Sequence, residues 1–208
     1  MLAKRLDAHF VACAAAAGAG VVGIAQTADA GIVYSGVVNI PIPDNIDGIY
    51  MNMVTGVSNP SAASVPGWDI TPYTAAAGQF NLWSADASTW LSTGGVVGGP
   101  YKLADGAPIG PAGSFFRPGG GTNVGLEMTL NSNQNLLGFK FVNEANAGAT
   151  HYGWLRLQFG ANAGTRAIVE YAYENVANTA IPAGAVPAPG SLALLALGAA
   201  GVAGRRRR

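Results

Sequence analysis

Tyr152-Gly153-Trp154-Leu155-Arg156-Leu157-Gln158-Phe159 and, beyond residues 160–166, Ala167-Ile168-Val169-Glu170-Tyr171-Ala172-Tyr173-Glu174 decide the fold. Both runs alternate with a period of two, so each puts an apolar set on one face and a mixed set on the other. Setting Leu155 against Tyr171 and Leu157 against Val169 places Arg156 directly opposite Glu170. Apolar residues then meet apolar residues, and an opposite-charge pair forms on the other face. A shift of one residue would set Leu155 against Glu170. The expected unit is an antiparallel hairpin of 152–159 with 167–174. Its exposed ion pair marks register and is worth well under about 1 kcal/mol.

The same signature continues upstream. Leu137, Phe139 and Phe141 alternate with Gly138, Lys140 and Val142, and Val124, Leu126, Met128 and Leu130 form another set, joined by a polar connection at 131–135. Residues 31–40 are β-rich and stop at Pro41-Ile42-Pro43, because proline cannot continue a strand ladder. Asp44 to Gly48 is turn chemistry, 49–54 a second strand, and 56–67 a loop broken by Asn59-Pro60 and Pro66-Gly67. Residues 68–70 and 79–83 read as short strands, and the Gly- and Pro-rich stretch 104–123 as one irregular excursion. No long helical periodicity interrupts the pattern. The expectation is an all-β fold: a single antiparallel β-sandwich or jelly roll over 31–177, with 178–186 as a linker.

The whole chain is formally neutral, but residues 31–187 carry five basic and nine acidic side chains, a net charge of −4. A mildly acidic surface without a basic patch argues against nucleic acid as a partner. About 155 residues suffice for one domain with a real core.

The two ends carry a different kind of information. Lys4 and Arg5 precede an apolar run over 10–25 that closes on Ala28-Asp29-Ala30. A positive start, an apolar helix and an A-x-A site make 1–30 a secretory signal peptide, handled by the export machinery and cut so that Gly31 becomes the first residue. The single cysteine, Cys13, lies inside that segment, so the mature protein has no thiol. At the other end Pro187-Ala188-Pro189 leads into an apolar helix bearing Leu192, Leu194, Leu195, Leu197 and Val202, and the chain stops on Arg205, Arg206, Arg207 and Arg208. The apolar part engages the membrane, and four arginines hold the end on the cytoplasmic side. Residues 191–204 would span roughly 21 Å against a hydrocarbon core of about 30 Å, which suits a processed segment better than a permanent span.

This arrangement resembles the PEP-CTERM sorting signal of exported proteins in Gram-negative bacteria that make extracellular polysaccharide. Pro187 and Pro189 match its two prolines, 192–202 its helix and Arg205 to Arg208 its basic end. Ala188 stands where the family usually has Glu. The resemblance implies processing by a transpeptidase-like exosortase at 187–208. The body is similar to one that recurs in such proteins, through Asp47-Gly48-Ile49-Tyr50, Gly138-Phe139-Lys140-Phe141, His151-Tyr152-Gly153-Trp154-Leu155-Arg156-Leu157 and Tyr171-Ala172-Tyr173-Glu174. That likeness implies no activity.

Candidate chemistry is sparse. Asp44-x-x-Asp47-Gly48 lacks the later ligands of a calcium loop and reads as a turn. His151, alone after signal removal and without cysteines, cannot build a zinc site, and no G-x-S-x-G elbow accompanies it as a catalytic base. Glu170 and Glu174 lie four residues apart, roughly 13 Å along a strand, and Glu127 or Glu144 would have to approach them to form a hydrolytic pair. Trp154, Arg156 and Gln158 share one face of the hairpin and form a candidate glycan contact, unless the 104–123 excursion covers the ring. No cofactor or metal is expected. The expected protein is a non-catalytic surface or extracellular-matrix domain, structural or adhesive, anchored transiently or permanently and associated with exopolysaccharide. The alternative is a secreted carbohydrate-active enzyme using a pair such as Glu127 and Glu170.

Overall fold

A computed structural model describes residues 31–76, 79–85, 88–91, 102–116, 121–123 and 128–187. The signal helix expected over 1–30 and the sorting segment from Ala188 onward lie outside them. In chain order the strands are β1 (Ile32–Tyr34), β2 (Ile40–Pro41), β3 (Tyr50–Met51), β4 (Ser58–Asn59), β5 (Ile70–Tyr73), β6 (Gln79–Ser84) and β7 (Thr89–Leu91). They continue as β8 (Pro108–Ile109), β9 (Phe115–Phe116), β10 (Gly121–Asn123), β11 (Ser132–Asn143), β12 (Ala149–Phe159), β13 (Arg166–Glu174) and β14 (Ile181–Pro182). Helical turns among the described residues are two short 3-10 pieces, 62–64 and 144–146. The fold is all-β.

Three antiparallel sheets result. The large one runs β1-β13-β12-β11-β7-β9, with β2 beside β1 on the same edge of β13; the smaller runs β10-β6-β5-β3-β4; β14 and β8 form a ribbon. The large and small sheets share one core. Leu137, Phe139, Phe141, Leu155, Leu157, Phe159 and Ile168 from one side meet Met51, Ile70, Phe80 and Leu82 from the other, all buried. Phe80 and Phe159 meet edge-to-face at 5.3 Å, a favoured geometry for aromatic pairs.

The β12–β13 register pairs Leu155 with Tyr171 and Arg156 with Glu170, as the sequence predicts. It then departs: Leu157 faces Ile168 instead of Val169, because a bulge inserts Val169 as an extra residue. The physical reason lies across the edge. Val169 O, freed from the β12 ladder, accepts both Val38 N (2.8 Å) and Asn39 N (3.2 Å), which holds the chain leading into β2. The bulge also keeps Ile168 in the core and turns Arg166 towards the small sheet.

Other expectations are corrected in detail. The strand expected over 31–40 is two pieces, parted where Gly36 (φ 67) and Asn39 (φ 50) adopt left-handed backbone. The strand expected over 49–54 ends at Met51, because Asn52 turns the chain. Its Oδ1 accepts Val54 N and Thr55 N, and its Nδ2 donates to Pro66 O and Gly67 O. Within 104–123 the chain is not one irregular excursion but contributes β8, β9 and β10. Of the alternating set at 124–130, residues 124–127 lie outside the described residues.

Gly153 marks a close approach in the core. An added Cβ would lie 2.5 Å from Phe139 Cζ and 2.6 Å from Ala172 O, so the Phe139 ring occupies the space a side chain would need.

Candidate functional site

The segment expected as a linker, 178–186, instead docks on the body. Ile181 and Pro182 pair with Ile109 and Pro108, Ala183 N donates to Ala107 O (2.8 Å), and Gly106 N donates to Ala183 O (2.9 Å). Ile181 and Ala183 are buried, with Leu91, Leu103, Ile109, Leu136, Tyr152, Trp154 and Ala172, in a second core on the outer face of the large sheet. Residues 181–185 are therefore a strap. Small residues suit it: Ala183 and Ala185 let backbone approach the sheet closely.

Trp154 fixes the end of that strap. Its ring is fully buried, and Nε1 donates to Ala185 O at 2.9 Å, satisfying the one polar atom the indole carries. One residue later the burial ends: Val186 is 48% exposed and Pro187 is exposed. The first residue of the Pro187-Ala188-Pro189 motif is thus exposed two residues beyond the strap's anchor at Ala185.

This overturns the candidate glycan contact at Trp154. The residues do share a face, but the strap covers the indole at one end, so no ring face is open for stacking on a sugar. Arg156 is committed too. Nε donates to Glu170 Oε1 (2.7 Å), NH1 donates to Gln134 Oε1 (2.9 Å), and the guanidinium carbon lies 5.7 Å from the Trp154 ring centroid. Tyr34 OH donates to Glu170 Oε2, and that bond, ahead of burial, raises the Tyr34 phenol above its ordinary pKa. Gln158 alone of the three stays exposed.

The carboxylates are dispersed. Glu170 is occupied as described, and Glu127 lies outside the described residues. Glu174, four residues beyond Glu170 on the same strand, is buried and accepts Gly31 N and Val176 N on Oε1, both at 2.9 Å. Asp44 accepts from Thr74 Oγ1 (2.8 Å) and pairs with Arg166 (3.3 Å), whose buried guanidinium also donates to Pro43 O and Gln79 O and so staples the two sheets. The Asp44–Gly48 segment is a turn in which Asn45 Oδ1 accepts Gly48 N. Among the described residues no group of three or more His, Cys, Asp or Glu converges.

Two further buried polar groups stand apart. Burial pushes the Asp69 carboxyl up to about 7, while Met53 N (2.8 Å) and Ser88 Oγ (3.2 Å) donate to it. His151 is fully buried between the Phe141 and Tyr173 rings, with Nδ1 2.7 Å from Glu174 O and Nε2 3.1 Å from Asn146 Nδ2. A carbonyl only accepts, so Nδ1 carries the proton. The ring works as a bridge between β12, the end of β13 and the turn at 144–146.

Sequence reasoning missed the strap, the Trp154–Ala185 anchor and the burial of Glu174. Ile181 and Ala183, two residues apart before a Gly, were the only available signal of a strand. Nothing local marks Glu174, whose partner Gly31 lies 143 residues away.

Among the described residues no helix is long and apolar enough to cross a membrane. No curated protein and no solved structure matches the chain. Residues 185–208 match the PEP-CTERM protein-sorting motif, so the segment that begins at the Trp154 anchor is the one that marks this chain as an exported protein sorted by an exosortase.

Proposed function

We propose that the β body is a non-catalytic cell-surface or extracellular-matrix domain, structural or adhesive in role, delivered by its C-terminal motif and associated with exopolysaccharide. The observation that carries this reading is the anchor. The body is folded and sealed up to Ala185, and the motif emerges from it exposed at Val186 and Pro187. A processing enzyme would reach Pro187 to Pro189 without unfolding the cargo. The apolar segment bearing Leu192 to Val202 would hold the chain at the membrane until that step, with Arg205 to Arg208 inside.

A non-catalytic body is supported by the use of its acids as fasteners: Glu170 holds Arg156 and Tyr34, Glu174 holds backbone, and Asp44 holds Arg166. Polysaccharide contact falls to neutral polar loops, such as the open depression lined by Asn131, Ser132, Asn133 and Gln158. Terminal peptide mapping on protein from the native host tests the sorting step. A chain beginning at Gly31 and ending near Pro187–Pro189 is expected. One retaining Arg205 to Arg208 would make the tail a permanent anchor. Retention on the host's own polysaccharide tests the association, and turnover of that polysaccharide would favour the enzyme alternative.

A further inference from the structure

Glu174 is a buried acid at the very end of β13, 3% exposed. Among the described residues no Lys, Arg or His side chain forms an ion pair with it, and His151 bonds its backbone carbonyl and not its carboxylate. A carboxylate taken out of water without a counter-charge is costly. Its Oε1 accepts Gly31 N and Val176 N, and Asn175 N donates to Gly31 O at 2.9 Å, so Gly31 is gripped on both sides. Gly31 itself is half-buried and leads straight into β1, paired along β13 from Ile32 opposite Glu174.

The atom that Glu174 grips is the one that the signal-peptide cut would change. Hydrolysis of the Ala30–Gly31 amide adds OH from water to the Ala30 carbonyl and H to the Gly31 nitrogen. At neutral pH the new acid loses a proton and the new amine gains one. We propose that Glu174 is the receptor for the α-ammonium group created at Gly31, so that the cut turns a neutral amide contact into a buried ion pair and locks the finished body. The amide bond to the carboxylate is already charge-assisted; the ammonium adds the counter-charge that the buried carboxylate lacks, at a site already aligned. The lock rests on the export reading only in taking Gly31 as the first mature residue.

The test compares three forms of the chain 31–208, made behind a removable leader and purified in mild detergent: leader attached, leader removed to free Gly31, and leader removed with the α-amine acetylated. Acetylation keeps the chain length and deletes the charge. The free-amine form should melt roughly 3–6 °C above both others. In Glu174→Gln the gain should vanish. Should that variant fail to fold, the acetylation comparison decides alone. Melting of all three forms within about 1 °C, or an undiminished gain in Glu174→Gln, would overturn the lock. Sorting and polysaccharide binding do not enter this readout, so a failure of the surface-domain reading would leave it intact.

Discussion

The two faces of β11, β12 and β13 are closed by different means. The inner face is covered by a whole second sheet and filled with rings and aliphatic chains: Phe139, Phe141, Leu155, Leu157 and Phe159 are essentially inaccessible. Among the described residues the outer face is covered mainly at one end, by the β8–β14 ribbon with Leu103 and Phe115, and is also fastened by polar contacts: Trp154 Nε1 to Ala185 O, and Arg156 and Tyr34 to Glu170. Along β12 the outer residues grade from buried Tyr152 and Trp154 through half-buried Arg156 to exposed Gln158. A face closed by a sheet is held by area. A face closed by a strap is held by a smaller apolar cluster and a few bonds, and the strap stops at Ala185, where the sorting motif begins.

The largest expected effect is on the inner face. Phe139→Ala should cost about 3–5 kcal/mol in denaturant unfolding, because its ring also fills the space over Gly153. A cost under about 1 kcal/mol would mean that the two sheets do not share a tight core.

The polar margin of that core comes next and shows as pH dependence. Asp69 has its carboxyl raised to about 7 in the folded protein, against an ordinary value near 3.8, so the folded state binds the proton more tightly. This group's contribution is therefore greatest below about pH 4, falls as pH rises to about 7, and is flat above. Asp69→Asn should gain stability relative to the parent between pH 4.5 and 7.5. A difference independent of pH would place Asp69 in a wetter setting.

On the outer face Trp154→Phe should cost about 1–2 kcal/mol by removing the bond to Ala185 and some volume. The same variant should raise protease sensitivity near Pro187, and an unchanged cleavage rate would separate the anchor from the exit. The smallest effect belongs to the Arg156–Glu170 pair, expected as exposed but with side chains only 17% and 13% exposed. A double-mutant cycle on Arg156→Met and Glu170→Gln should give a coupling under about 1 kcal/mol, and a larger value would mean that the pair itself holds that corner together.

These contrasts also explain what the sequence made legible. The inner face announces itself by alternation, and Arg156 opposite Glu170 pins the register, because a period of two leaves no other neutral solution. The bulge at Val169 was hidden, since its cause is the edge contact with Val38 and Asn39, 130 residues away in sequence. Trp154 beside Arg156 and Gln158 read as an open mixed face. What covers it is Ile181 and Ala183, in a stretch of small residues too short to show a period. Long-range closure by a few small side chains leaves almost no local trace.

The most direct measurement is hydrogen exchange at the Trp154 indole N–H in the chain beginning at Gly31. With the strap seated and Ala185 O accepting that proton, exchange should be as slow as at the backbone amides of β12. Exchange at the rate of a solvent-exposed indole would contradict the sealed outer face and with it the anchor from which the sorting motif departs.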